Sequence, residues 1–360
     1  MPPRVRGPLR GAGRRRAHWG PGTAGAATKG TPTRHRPRRQ PMTNGILHRI
    51  VTASGVADLL EALGERLTPT DLQSLLLEVY RRRAARQRPA GLLDQYERSR
   101  FVRPSPANPR LLVEFDRLAF SLAAPPFEPV ELSPVCPLGT NSVVAPVSQN
   151  LTIATIRNTE LVSDSTNVLA LECALRRLTR LRSQPAATDR VRLCASHRLL
   201  RAQRFHRPGA FAHFRAFALC TAGRDQGAHR FELESLAEHL RFYLRLMAAW
   251  SGVGQPMHYP RVAITDLAGT VHPERLQAAV VDSLFAEFPE ARVGLDADRT
   301  AGRGYYAGLC FHVYAQDRSR KEYELVDGGF TTWTQQLLSD RKERLLISGV
   351  GTERVCSVFG

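Results

Sequence analysis

The chain has 360 residues, 42% of them hydrophobic, and a formal charge of +18 from 51 Lys and Arg against 33 Asp and Glu. That length and apolar content can fill the core of one large domain or two modest ones. No run of about 18 apolar residues occurs, which argues against a membrane-spanning helix. The six cysteines (136, 173, 194, 220, 310 and 356) are scattered without zinc spacing or a disulfide framework. They read as small core hydrophobes, and a reducing cytoplasm is the expected compartment.

The basic charge is concentrated at the start. Residues 1–41 hold eleven basic and no acidic residues, so the remainder carries only about +7. Lysine occurs only at 29, 321 and 342, so arginine is abundant throughout and no single arginine is informative by itself. The segment 1–41 is rich in Gly, Pro and Arg and has no apolar period, which predicts a disordered tail. It lacks the apolar centre of a signal peptide and, having no serine, departs from an organelle transit sequence. Two readings stand. Either the protein proper starts at Met42 and the tail lies outside it, or the tail binds nucleic acid.

Residues 43–99 are expected to be helical. "DLLEALGERL" and "TDLQSLLLEVYRRRAARQ" repeat apolar residues every three or four positions, the second with Thr70 or Asp71 as its cap. "RPSPANPR" (103–110) breaks the pattern, and "LLVEFDRLAFSLAA" restores it as far as Pro125. "FEPVELSPVCP" alternates between prolines, as an edge strand does. "SVVAPVSQNLTIATIRNTELVS" carries β-branched strand signals, and "STNVLALECALRRLTRLRS" reads as an amphipathic helix capped by Asp164 or Ser165.

Between 191 and 222 the pattern is a hairpin: "VRLCASHRLLRAQRF", a loop "HRPGAFA", then "HFRAFALCTA". "FELESLAEHLRFYLRLMAAW" is a long helix, "RVAITDL" a strand, and "PERLQAAVVDSLFAEFP" a helix with proline in its first turn. "RGYYAGLCFHVYAQD" and "EYELVDGG" are strands, "TWTQQLLSD" a helix, and "RLLISGVG" a final strand. Strands clustered late, with helices before and between them, indicate α+β: an antiparallel sheet flanked by helices, preceded by an N-terminal helical segment.

The last strand runs into "GVGTER" (349–354), where Gly349 and Gly351 allow close backbone approach and Arg354 falls at a helix start, a natural anion site. A surface turn with a solvated arginine is the plainer alternative. On the hairpin, Arg201 and Gln203 share one strand face, and Arg215 and Phe217 share another. An aromatic beside an arginine suits a nucleotide, with the base stacked and the phosphate paired. A half-buried Phe with solvated arginines fits the same spacing.

In order and spacing, these segments resemble the catalytic core of class II aminoacyl-tRNA synthetases, in particular histidyl-tRNA synthetase and the related regulatory subunit of ATP phosphoribosyltransferase. "FEPVELSP" (127–134) looks like motif 1, the dimer-forming strand ending in proline. "LLRAQRFHRPGAFAHFRAF" looks like motif 2, with Arg201, Gln203 and Phe217 at the arginine, carboxylate and phenylalanine places. "GVGTER" looks like motif 3 and supplies Arg354. "RGYYAGLCFHVY" (303–314) and "DGGFTTW" (327–333) resemble the tyrosine-rich and double-glycine segments of the histidyl branch, which puts Tyr305, Tyr306, Gly328 and Gly329 at an amino-acid pocket.

The resemblance covers residues 105–360, after a helical segment at 42–104, and shows no anticodon-binding domain. It implies a homodimer that binds ATP and Mg²⁺ and activates an amino acid or related carboxylic acid as its adenylate, for a tRNA or a carrier-protein acceptor. No metal ligand among the side chains is implied. Adenine would lie on Phe217 beside Arg215; Arg201 would hold the α-phosphate and acid carboxylate, and Arg354 the distal phosphates. The family also contains catalytically silent, amino-acid-sensing paralogues, and that reading stays open.

The sequence departs from the family pattern in three places. Gln203 replaces the carboxylate. The catalytic arginine four residues before the tyrosine pair falls on Ala301, between Arg299 and Arg303. "SDSTNVLALE" (163–172) replaces the amino-acid-binding element, where Asp164 and Glu172 could bind an ammonium group or Asp164 could simply cap a helix.

Overall fold

The structure, a computed structural model, describes residues 44–203, 212–299 and 301–360. The basic tail 1–41 and residues 206–211 of the hairpin loop lie outside the described residues. Among them no helix is long and apolar enough to cross a membrane.

The chain divides at Gly64. Before it stand α1 (Asn44–Ser54) and α2 (Leu59–Glu61), with exposed or half-buried side chains from Gly45 on. The second unit, Glu65–Gly360, opens with α3 (Pro69–Ala84) and α4 (Pro89–Arg98), neither of which buries a residue. The α3 cap is Thr68, whose hydroxyl accepts from Asp71 N at 3.1 Å, not Thr70 or Asp71. The cause is Pro69, whose fixed φ and missing N–H suit a first helical position and set the start one turn early. Helix α5 (Pro109–Ala123) repeats the arrangement with Asn108 and Pro109.

Strand β1 (Glu128–Pro129) is the expected edge strand, and β2 (Val135–Pro137) pairs with β3 (Thr159–Leu161) in a small separate sheet. Most of 142–158 is not strand, contrary to its β-branched composition. Pro146 offers no N–H, and the buried Glu160 carboxylate draws the segment around itself, accepting from Gln149 Nε2 (2.5 Å) within it and from Gly139 N (3.1 Å), Asn141 N (2.8 Å) and Asn141 Nδ2 (2.7 Å) just before it. Four donors on one carboxylate outweigh a ladder.

After α6 (Ser165–Ser183) come β4 (Val191–Leu200), β5 (His213–Arg224), α7 (Arg230–Trp250) and β6 (His258–Asp266). Helices α8 (Pro273–Leu276) and α9 (Asp282–Glu287) are joined by one wide π-type turn, and a short strand without sequence signal follows, β7 (Arg292–Leu295). Strand β8 (Leu309–Gln316) begins six residues later than its apolar pattern suggests, because Arg303–Gly308 wrap into turns. The chain closes with β9 (Glu322–Thr331), α10 (Trp333–Leu338), β10 (Glu343–Val350) and α11 (Thr352–Phe359).

Eight strands form one sheet in the order β1-β4-β5-β10-β9-β8-β6-β7. The six central strands are antiparallel, as expected, while β1 and β7 join the two edges in parallel. Alternation along each strand sends residues to two covers. One face packs Phe217, Phe311 and Leu346 against Phe115 of α5, Tyr243 and Trp250 of α7, and Phe359 of α11. The other packs Leu193, Cys220 and Ile347 beneath Leu169 of α6 and Trp333 of α10. Each buried aliphatic or aromatic side chain contributes about 1.5–3 kcal/mol by leaving water. Helices α6 and α10 cover only part of this second face, and the uncovered part is the site described below.

Under the sheet, α7 is tied to two strands by a buried polar chain. His239 shares hydrogen bonds with Thr221 Oγ1 (2.9 Å) and Ser348 Oγ (2.7 Å), and Ser348 is also bonded by the Tyr243 hydroxyl at 2.8 Å. Burial pushes the His239 imidazole from 6.5 down to about 3, so the folded state holds it neutral. As pH falls below about 6.5, protons bind the unfolded chain first. Stability is therefore complete above that value and is lost toward pH 3. Melting temperature followed across this range should fall less steeply for His239→Gln, which removes the titration; parallel acid limbs would refute the assignment.

Candidate functional site

A cavity of about 670 Å³ opens on the uncovered sheet face. Arg201 and Gln203, just beyond β4, form one wall; Phe214, Ala216 and Ala218 of β5 line the floor. Gly349, Gly351 and Arg354 come from the end of β10 and the start of α11, and Tyr305 and Tyr306 from the turn before β8. The sequence motifs thus converge. Arg201, Gln203, Gly349, Gly351, Arg354, Tyr305 and Tyr306 all line one cavity.

Arg201 is held in place by α6. Its Nε donates to Ser163 O at 2.9 Å and its Nη2 to Asp164 Oδ2 at 3.2 Å, while its guanidinium lies 5.1 Å from the centre of the Phe214 ring. The other Asp164 oxygen accepts from Thr166 N (3.0 Å) and Thr166 Oγ1 (2.8 Å), so Asp164 caps α6 and faces the cavity at once. Arg201 and Asp164 stay partly solvated, which limits their pair to well under 1 kcal/mol and leaves the guanidinium able to exchange partners. Arg354 is exposed and, among the described residues, is anchored by Nη1 donating to Glu324 O at 2.8 Å. Glu172, the other carboxylate considered for an ammonium group, pairs with Arg176 at 2.7 Å.

Neither motif glycine adopts left-handed backbone. A Cβ on either would meet its nearest neighbour at an ordinary 3.6 Å. They leave a bare cavity wall and impose no sharp bend.

Arg215 and Phe217 are corrections. They point to the opposite sheet face: Arg215 pairs with Asp116 of α5, and the Phe217 ring is fully buried between Phe120 (5.1 Å) and Phe242 (5.6 Å). Strand parity decides this, since 214, 216 and 218 face the cavity and 215 and 217 cannot. The aromatic beside Arg201 is Phe214.

Gly328 and Gly329 do not line the cavity either. A Cβ on Gly328 would meet the Phe311 ring at 2.6 Å, and one on Gly329 would meet the Tyr306 ring at 2.6 Å. Gly328 lets Phe311 of β8 and Ser348 of β10 close in, and Gly329 makes room for Tyr306, which lines the pocket.

The cavity also carries a charged cluster that the motifs did not reveal. The Asp327 carboxylate accepts from the Tyr306 hydroxyl (2.9 Å) and from Arg299 Nη2 (3.0 Å), with His312 Nε2 at 3.3 Å. Burial alone would raise the Asp327 pKa; His312 and Arg299 more than offset it and hold the group below its ordinary value. Burial also pushes both the Tyr305 and Tyr306 hydroxyls well above the usual tyrosine range, so they act as neutral hydrogen-bonding groups. Arg299, considered in sequence as a stand-in for the displaced catalytic arginine, is only 8% exposed, and donates through Nε to Ala301 O at 3.0 Å.

Among the described residues no three or more His, Cys, Asp or Glu side chains converge as a metal site. The six cysteines are buried, and burial pushes the Cys194 and Cys356 thiols up to about 12 and Cys310 to about 11, leaving them unreactive.

No protein-family model and no curated protein matches the sequence. Solved structures do match the fold. An ATP phosphoribosyltransferase regulatory subunit/histidyl-tRNA synthetase from Bacillus halodurans aligns with a TM-score of 0.52 at 14% identity, over 72% of this chain and 82% of that one. A histidine–tRNA ligase subunit from Alicyclobacillus acidocaldarius gives 0.51 at 13%, over 71% and 94%. The S. aureus histidyl-tRNA synthetase gives 0.50 at 12%, over 69% and 64%. At such identities the likeness speaks for architecture, and it agrees with the motif order read from the residues: the chain has a class II aminoacyl-tRNA synthetase-like fold of the histidyl kind.

Proposed function

We propose that the cavity binds ATP with an amino acid or related carboxylic acid and joins them as an acyl adenylate. The observation that carries this reading is the placement of Arg201 and Arg354, from distant parts of the chain, on one cavity that also presents Asp164, Tyr305 and Tyr306. A carboxylate oxygen of the acid attacks the α-phosphorus, the bond to the bridging oxygen breaks, and pyrophosphate leaves with the electron pair. Negative charge concentrates on the α-phosphoryl oxygens as this happens. A guanidinium placed there beforehand lowers the barrier without reorganisation, and holding both reactants on one sheet face removes the entropic cost of their encounter. Arg201 is the α-phosphate ligand in this reading and Arg354 the ligand of the distal phosphates. Magnesium, bound by the phosphates themselves, would neutralise the leaving pyrophosphate; Gln203 is a neutral neighbour to it. Phe214, and not Phe217, is the aromatic surface available beside Arg201.

One observation favours a second reading. Arg201 is already engaged by Asp164 and by Ser163 O, so Asp164 competes with an incoming phosphate for its charge. A catalytically silent paralogue would keep that pair and use the cavity to sense a free amino acid. Amino-acid-dependent exchange of pyrophosphate into ATP separates the two.

A further inference from the structure

The linker between α4 and α5 touches both ends of the β4–β5 hairpin at the cavity. Arg100 Nη2 donates to Gln203 O at 2.9 Å and to Ala202 O at 3.1 Å, on the strand leaving β4. Three residues on, Arg103 O lies 2.7 Å from His213 Nε2, on the first residue of β5. A carbonyl can only accept, so His213 Nε2 carries the proton and Nδ1 is free to accept from Arg198 Nη1 at 3.0 Å. Arg201 N donates to Ala212 O at 2.9 Å and Ala202 N to Leu151 O at 3.1 Å, and these bonds close the same ring of contacts.

We infer that residues 100–103 form a brace that fixes the hairpin ends and so aims Arg201 and Gln203 into the cavity, with Arg100 as the positioning residue. Regular pairing stops here: β4 ends at Leu200, beyond which Arg201 N to Ala212 O still joins the two strands, and Ala202 and Gln203 run past the sheet. A planar guanidinium suits the task because one nitrogen reaches two successive carbonyls while its face lies 4.4 Å from the Phe101 ring, which restricts the side chain before it binds. Charge-assisted bonds to carbonyls are the stronger class, and their exposure to water reduces but does not cancel them. The brace also joins α4 to the site through one short segment, since the Arg103 guanidinium packs 5.5 Å from the Tyr96 ring of that helix.

Hydrogen–deuterium exchange of the full chain without nucleotide tests the brace directly. Arg100→Ala should speed exchange of the Arg201 and Ala202 amides by about tenfold, the factor expected for losing one net hydrogen bond to a charged donor. Cys194 and Leu219, further along the same strands, should be unchanged. Arg100→Lys, which keeps donor hydrogens, should recover part of the protection. Unchanged exchange at 201 and 202, or a uniform rise along β4 and β5, would overturn the brace. Its consequence for function rests on the ATP reading: Arg100→Ala should weaken ATP about three- to tenfold. If the parent binds no ATP, the amide exchange still decides the brace.

Discussion

Glu343→Ala should destabilise the protein by about 3–5 kcal/mol, the range for removing one partner of a buried ion pair. Glu343 accepts from Arg177 through two parallel bonds of 2.8 Å, and both side chains are fully buried. Arg177 also donates to Asp189 O (2.8 Å) and Ala187 O (2.9 Å), so this one guanidinium clips α6, the turn after it and β10 together. The variant leaves a guanidinium in the core with two carbonyls and no counter-charge. Replacing both residues by apolar ones of similar volume should cost far less, because then no charge is stranded. Denaturant midpoints at constant slope measure both. A loss below about 1 kcal/mol for Glu343→Ala would mean that water reaches Arg177 and that α6 is not locked to β10.

The second large effect concerns nucleotide. Each guanidinium contact to phosphate should contribute about 1.5–3 kcal/mol, so Arg354→Ala should weaken ATP at least tenfold by calorimetry. Its melting temperature should barely move, since Arg354 is exposed and its guanidinium is bonded among the described residues to a carbonyl, Glu324 O. Arg201→Ala should cost more. It removes a phosphate ligand and also frees the Asp164 carboxylate, which would then repel the phosphates. A Kd for ATP unchanged in both variants would place the nucleotide elsewhere or nowhere.

The start of α5 at Pro109 was hidden inside "RPSPANPR", whose prolines read as a breaker. The helices were otherwise legible because their apolar stripes are local, and Asp164 before "STNV" needs no knowledge of the rest of the chain. The hairpin was legible for the same reason, and the late strands gave the sheet. What sequence reading missed is which face of β5 is which. Strand β5 is apolar on both sides, since Phe217 and Leu219 pack on α5 and α7 while Ala218 and Cys220 pack beneath α6, so its residues do not alternate in polarity. The motif alignment therefore selected Phe217, whose ring is core, over Phe214. The cluster of Arg299, His312, Tyr306 and Asp327 was missed for another reason. It is assembled from three segments brought together by sheet pairing, and each residue alone sits in an unremarkable alternation. The run 142–158 misled because β-branched composition was read without the buried Glu160 that organises it.

Amino-acid-dependent exchange of labelled pyrophosphate into ATP tests the central claim most directly, because it requires the adenylate to form and to reverse within one site. The standard amino acids and a few related acids would each be supplied with ATP and Mg²⁺ to the full chain. The account predicts exchange with one acid or a narrow group of them, abolished in Arg201→Ala. No exchange with any acid, together with tight binding of a free amino acid, would contradict it and identify the cavity as a sensor.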